Sequence, residues 1–338
     1  MLDRFPVLWL CGPSGVGKST IAWELFNERP GAAHVDIDQL GMCYPEIPSD
    51  PGRTILEARI LGQVAANYAA AGATSLIVSG YIDSHRGIHT EHLTGVELTV
   101  LRLRCDQPEH RRRLVDRARP GEEREAALRA GVVLDRSGLP YPVLDTTGRT
   151  AADVLAEVRE RWPFCPSRQP GDWPQPAATP GEIIFVCGAP AVGKSTFGWE
   201  LAERFRRDGH TTGFVDLQQI GFGHDHRLKA ANLAAVHTNF SAYGAQRLVV
   251  VGRIENPDQL KLYRDALPAA RITVYRLHAG PDQLRERIRQ RGLGYGPPII
   301  GDELRGQPAD VLAAAHEDAV AQAEKLERLS FGDVRVEW

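Results

Sequence analysis

GPSGVGKST, residues 12–20, follows the short apolar run VLWLC and opens the amphipathic stretch STIAWELFNER. The spacing G-x-x-x-x-G-K-S/T is met by Gly12, Gly17, Lys18 and Ser19. Glycines at those positions let the backbone curl so that successive N–H groups point inward at phosphate oxygens. A helix N-terminus adds partial positive charge behind them. Strand, glycine loop and helix in that order turn a pattern match into a phosphate site. Gly15 and Thr20 complete the first cradle.

The chain repeats the statement. GAPAVGKST, residues 188–196, carries Gly188, Gly193, Lys194, Ser195 and Thr196 in the same places. The likeness runs well past the loops. HVDIDQLGM (34–42) matches FVDLQQIGF (214–222), NYAAAGATSLIVSGYID (67–83) matches NFSAYGAQRLVVVGRIE (239–255), and LTVLRLRCDQPEHRRRLVDR (98–117) matches ITVYRLHAGPDQLRERIRQR (272–291). The offsets drift through 176, 180, 172 and 174, as loop insertions and deletions produce in two copies of one domain. Between the copies lies PFCPSRQPGDWPQPAATPG, residues 163–181, whose six prolines forbid a helix and favour an extended connector. Residues 1–162 therefore read as one domain and 182–338 as its copy.

Each half alternates strand with helix, the pattern of right-handed crossovers and a parallel sheet. VLWLC, AHVDID, TSLIVSG, ELTVLRLR and YPVLDTT read as strands of the first half, and the second half ends on a longer helix and the strand FGDVRVEW. The fold class is α/β: two tandem P-loop domains, each a three-layer α/β/α sandwich.

Bulk properties narrow the function. The 338 residues are 43% hydrophobic and 25% charged, with a formal net charge of −3. That balance lacks the basic field of a dedicated nucleic-acid binder. No run approaches the roughly 20 apolar residues of a membrane span. The chain reads as soluble and cytoplasmic, with a small-molecule substrate. Cys11, Cys43, Cys105, Cys165 and Cys187 share no CxxC spacing, which argues against zinc or redox pairing. Cys11 and Cys187 read as small buried residues at strand ends.

Acids near the phosphate loop should supply the remaining chemistry. HVDIDQL places Asp36 and Asp38 at the end of the second strand, where ligands bind in open α/β sheets. Two carboxylates on one face of a strand could engage Mg²⁺ and take a proton from a hydroxyl. The second copy has Asp216 but Gln218 in place of the second acid, which marks the first copy as the catalyst. Neither LIVSG nor LVVVG ends in the acid of a usual Walker B strand, which argues against a motor ATPase. Asp83 and Glu255, three residues after the glycine, are weak substitutes.

Arg113 and Arg117 stand i, i+4 on one helix, matched by Arg287 and Arg291. Such a pair can stabilise charge on a transferring phosphoryl group. Arg53 is placed to grip an anionic substrate. His85, His89 and His92, and His224 and His226, lack a recognisable ligand pattern and read as loop residues.

Phosphate loop, strand-two Asp pair, no Walker B acid and a late R-x-x-x-R helix together resemble the small P-loop kinases: shikimate kinase, gluconate kinase, adenylylsulfate kinase and chloramphenicol phosphotransferase. The resemblance covers each half almost end to end. It implies a five-stranded parallel sheet of order 2-3-1-4-5 and a mobile lid. It further implies ATP and Mg²⁺ as cofactors, held by Lys18 and Ser19 and, in the copy, by Lys194 and Ser195. Asp36 or Asp38 would engage Mg²⁺ and the acceptor hydroxyl, and Arg113 and Arg117 would belong to the lid. The tandem arrangement departs from those single-domain enzymes and suggests a pseudo-dimer within one chain. The leading reading is an ATP-dependent phosphotransferase acting on a hydroxyl of a small metabolite, with a second nucleotide-binding copy in support. A polynucleotide 5′-hydroxyl kinase and a non-catalytic ATP sensor are the alternatives.

Overall fold

The computed structural model describes residues 4–116, 120–163, 169–175, 178–296 and 301–338. It divides into two compact units, one of Met1–Gly41, Glu46–Pro174 and Gly221–His224, the other of Met42–Pro45, Gln175–Ile220 and Asp225–Trp338.

The chain begins with β1 (Phe5–Cys11), α1 (Lys18–Glu28) and β2 (Ala32–Asp36), followed by the two-residue strand β3 (Cys43–Tyr44), which joins the sheet of the second unit. Then come α2 (Thr54–Ala70), β4 (Ser75–Gly80), β5 (Val96–Arg104), α3 (Gln107–Asp116), α4 (Gly121–Arg136), β6 (Val143–Asp145) and α5 (Ala151–Arg161). The first unit's sheet has the order β2-β4-β1-β5-β6, all parallel. Counted along that domain, the order is 2-3-1-4-5, as the resemblance implies.

β1 is buried on both faces, as a central parallel strand must be. Leu8 and Leu10 pack with Ile21 and Leu25 of α1 and with Val154 and Val158 of α5. Val7, Trp9 and Cys11 alternate to the other face, where α2 lies against β1 and β4. Burying side chains of this kind stabilises by about 1.5–3 kcal/mol each relative to exposure. Asp50 starts α2 by accepting hydrogen bonds from the Ile55 and Leu56 N–H groups at 3.0 Å each. Thr150 and Asp153 close a capping box on α5.

The second unit runs β7 (Gly181–Gly188), α6 (Lys194–Arg207), β8 (Thr212–Asp216), α7 (His226–Ala242), β9 (Arg247–Val251), α8 (Pro257–Ala266), β10 (Ala270–His278), α9 (Pro281–Gly292), α10 (Ala309–Arg328) and β11 (Val334–Glu337). Its sheet is β11-β10-β7-β9-β8-β3, the same parallel order with β3 added antiparallel at the edge. α8 occupies a stretch whose counterpart in the first unit holds only a short 3-10 turn, Thr90–His92.

Three features differ from the sequence reading. β2 stops at Asp36, and Ile37–Leu40 form a 3-10 turn, because the Asp36 carboxylate accepts the Asp38 N–H at 3.1 Å and bends the chain. Asp38 therefore stands on a turn, not on the strand. α4 and β3 were not anticipated. Arg117, expected beside Arg113, lies outside the described residues.

Candidate active site

The two phosphate loops are built alike. Gly12 and Gly188 have φ of 143° and 145°, and a Cβ there would stand 2.3 and 2.7 Å from the carbonyl oxygens of Leu103 and Leu277. Only glycine fits so close to the neighbouring strand. Gly17 and Gly193 are left-handed at φ 104° and 90°, turning the chain into α1 and α6. Ser19 and Ser195, then Thr20 and Thr196, follow in the first helical turn of each. Lys18 Nζ donates to the Pro13 carbonyl at 2.9 Å. Lys194 Nζ donates to Gly188 and Ala189 at 3.1 and 2.8 Å, and burial lowers its pKa to about 8. The loops differ at their second to fourth residues, and the last of these changes the backbone. Gly15 has φ 94°, whereas its counterpart Ala191 holds φ 57° with a side chain attached. Cys11 and Cys187 lie buried behind the loops, and burial pushes both thiols up to about 12.

α3 braces the first loop. His110 Nε2 donates to the Ser14 carbonyl at 2.6 Å, which fixes the proton on that nitrogen. Arg113 donates to the Val16 carbonyl at 3.3 Å, to Thr146 Oγ1 at 3.0 Å and to the Thr146 carbonyl at 2.8 Å, and it pairs with Glu109. Arg113 thus ties the phosphate loop to the turn after β6. That placement is a scaffold position, not the arm of an open lid. Beside it lies a cavity of about 310 Å³ lined by Gly17, Thr20, Ile21, Arg113, Thr146 and Arg149, among others. It opens on the N-terminus of α1.

On the other side of the loop, three carboxyls converge. Burial pushes Asp36 up to about 7, the neighbouring Asp38 carboxylate adds to the rise, and Lys18 opposes it. Asp38 is raised by burial and held down by Lys18 and Arg53. Its surface is open to solvent although protein surrounds most of it, which limits the rise. Glu57, on the first turn of α2, is only 4% exposed. Burial lifts it well above the usual carboxyl range, and Asp38 reinforces the effect against the pull of Arg53. Arg53 caps α2 in a left-handed conformation at φ 59° and pairs with Glu46 at 2.7 Å. The structure thus brings Lys18, Asp36, Asp38 and Arg53 into one electrostatic group. Glu57 was not singled out from the sequence, although its i, i+4 spacing from Arg53 was a usable signal.

The second copy keeps the loop and changes the acids. Ser195 Oγ donates to Asp216 at 3.2 Å, and the Gln218 N–H donates to the same carboxylate at 2.9 Å. Lys229 stands where Glu57 stands in the first copy; burial lowers its pKa, and Asp216 opposes that shift. Two acids of the first site are therefore a neutral amide and a cation here. Arg287 repeats Arg113, donating to the Val192 carbonyl at 2.8 Å and to the Trp338 carbonyl at 3.0 Å. Arg291 instead pairs with Asp302 at 2.8 Å.

The remaining candidates serve locally. Asp83 accepts the His85 and Arg86 N–H groups at 2.7 and 3.1 Å and shapes a turn. Glu255 pairs with Arg253. His89 bonds Glu91 at 3.1 Å, and His226 bonds the Tyr263 hydroxyl at 2.8 Å. No group of three or more His, Cys, Asp or Glu among the described residues is arranged to hold a metal by itself. Mg²⁺ does not require one, since one or two carboxylates plus substrate phosphates hold it. Ser19, Asp36 and Asp38 carry oxygen donors of the kind that Mg²⁺ takes. The raised proton affinity of the two acids marks uncompensated negative charge that a cation would offset. No helix among the described residues is long and apolar enough to cross a membrane.

Residues 7–133 match an AAA domain family, and residues 184–296 match a second AAA domain family. No curated protein matches the sequence. Among solved structures, a sugar kinase from Janibacter sp. HTCC2649 is 16% identical, covers 46% of this chain and 93% of its own, and has a TM-score of 0.35. The tunicamycin resistance protein of Deinococcus radiodurans is 24% identical over 49% of this chain and 100% of its own, at a TM-score of 0.34. Thymidylate kinase from Candida albicans is 13% identical over 49% of this chain and 99% of its own, at 0.32. With phosphate loop, strand order and family match present in each half, the chain is a tandem of two AAA-type P-loop domains.

Proposed function

We propose that the first domain, residues 1–162, is an ATP-dependent phosphotransferase acting on a hydroxyl of a small molecule, and that the second, residues 182–338, is a supporting copy that performs no transfer. The observation that carries this reading is the carboxyl group beyond the first loop. Burial and the neighbouring Asp38 carboxylate raise the proton affinity of Asp36, the direction that suits a group taking a proton from a hydroxyl. The second copy keeps Asp216 at the Asp36 position but replaces Asp38 and Glu57 by Gln218 and Lys229, so the pair of acids is broken there.

The chemistry follows from the placement. The loop N–H groups and Lys18 hold the phosphates, and the cavity beside Arg113 takes the base. The acceptor hydroxyl lies against Asp36 and Asp38, with Glu57 and Arg53 in the same charged group. As the hydroxyl oxygen bonds to the γ-phosphorus, its proton passes to the carboxylate pair. The bond from that phosphorus to the bridging oxygen breaks, and ADP leaves. Mg²⁺, held by Ser19 with Asp36 and Asp38, would supply charge neutralisation on the phosphate oxygens. Incubating the protein with γ-labelled ATP and pooled metabolites tests the reading. A labelled small molecule is expected. ATP bound without label transfer to any metabolite favours a sensor instead.

A further inference from the structure

The positions directly after β6 and β11 hold different residues in the two domains. In the first, the Thr146 N–H donates to the Arg104 carbonyl at 2.8 Å, and Arg113 donates to the Thr146 carbonyl. In the second, the Trp338 N–H donates to the His278 carbonyl at 3.0 Å, and Arg287 donates to the Trp338 carbonyl. Arg104 and His278, and Arg113 and Arg287, are matched pairs of the duplication. Trp338 is therefore the structural counterpart of Thr146.

Their side chains do opposite things. A Cβ at Gly17 would meet no atom of the described residues within 4 Å, and the cavity of about 310 Å³ begins there. A Cβ at Gly193 would stand 2.5 Å from Trp338 Nε1 and 2.9 Å from its Cδ1. The indole also stands edge-on to Phe197, the counterpart of Ile21, at 5.0 Å between centroids and 79° between planes. It joins the apolar cluster around Val192, Leu284 and Ile288. A planar bicyclic ring thus occupies the seat that, in the first domain, is open beside Gly17, Ile21 and Thr146.

We propose that Trp338 is a built-in plug that stands in for the purine and closes the second domain to nucleotides. Each chain then holds one ATP, on the first loop. Indole and purine are both flat bicycles, and both cannot occupy one seat. The indole is anchored by its own backbone to β10 and by Arg287 to the second loop, so the plug is held by the same contacts that frame the first domain's cavity. In the second loop Lys194 Nζ turns back onto the Gly188 and Ala189 carbonyls, and Gly193 leaves the space that the indole fills.

Calorimetric titration of the full-length protein with ATP and Mg²⁺ tests the plug without reference to turnover. The wild type is expected to bind one equivalent. Trp338→Ala and the milder Trp338→Val are expected to bind a second, at an affinity at least tenfold above any second binding by the wild type. Adding Lys194→Ala should abolish that gain. Two equivalents on the wild type would overturn the proposal. So would folded Trp338→Ala and Trp338→Val proteins that still bind one.

Discussion

At the scale of single residues, Ala191 and Asp36 carry consequences that can be measured. Ala191 holds a left-handed conformation at φ 57° where the first loop uses Gly15. That conformation costs a non-glycine residue about 1–2 kcal/mol. Ala191→Gly is expected to stabilise the second domain by about 1 kcal/mol in denaturant unfolding, less the added flexibility of the unfolded chain. An unchanged midpoint would mean that the surrounding loop relieves the strain. For Asp36, the folded pKa is raised above the ordinary 3.8 to about 7. The folded state therefore holds its proton more tightly than the unfolded chain does. Its contribution to stability is fully present below about pH 4 and is lost as pH rises through about 7. Asp36→Asn keeps the acceptor for the Asp38 N–H and removes the charge. Without nucleotide or Mg²⁺, its Tm relative to wild type should climb between pH 4 and pH 8; a constant difference contradicts the account. Residue-level legibility was uneven for a physical reason. The loop residues and the strand-end acids announce themselves by local spacing. His110, Thr146 and Trp338 acquire their surroundings only when distant elements meet, and no local pattern marks them; Glu57 offered only its i, i+4 spacing from Arg53.

At the scale of elements, α3 and the turn after β6 act as a brace on the first loop. Arg113 joins the two through the Val16 and Thr146 carbonyls. Hydrogen bonds from a charged group are worth about 1.5–3 kcal/mol. Arg113→Ala should therefore raise the KM for ATP by about tenfold or more while leaving the acceptor's KM little changed. An effect confined to the acceptor would place Arg113 on the wrong side of the phosphates. The strand–helix alternation was legible because buried parallel strands are short apolar runs between glycines. β2 was read too long because Ile37 continues its apolar pattern while the Asp36 side chain turns the backbone. β3 escaped because two residues carry no periodicity, and its pairing with β8 joins segments far apart in the chain. α4, with acidic residues in its first turn, is a regular helix that buries only Ala127, Leu128 and Leu134 of its apolar residues.

At the scale of the whole molecule, duplication organises the account. One domain type appears twice with the same parallel strand order, and the copies have diverged at two places that matter for chemistry. The positions beyond the loop hold Asp36, Asp38 and Glu57 in one and Asp216, Gln218 and Lys229 in the other. The seat beside the loop is open in one and filled by Trp338 in the other. The acid exchange at Gln218 was visible in the aligned repeats. The filled seat was not, because the tryptophan is brought back to the loop by β11, more than a hundred residues later in the chain.

The central claim is that transfer belongs to the first loop alone. Its most direct test compares label transfer from γ-labelled ATP by the wild type, Lys18→Ala and Lys194→Ala. The account predicts that Lys18→Ala abolishes transfer and that Lys194→Ala, where it stays folded, retains it. Transfer surviving in Lys18→Ala and lost in a folded Lys194→Ala would assign the chemistry to the other domain and contradict the account.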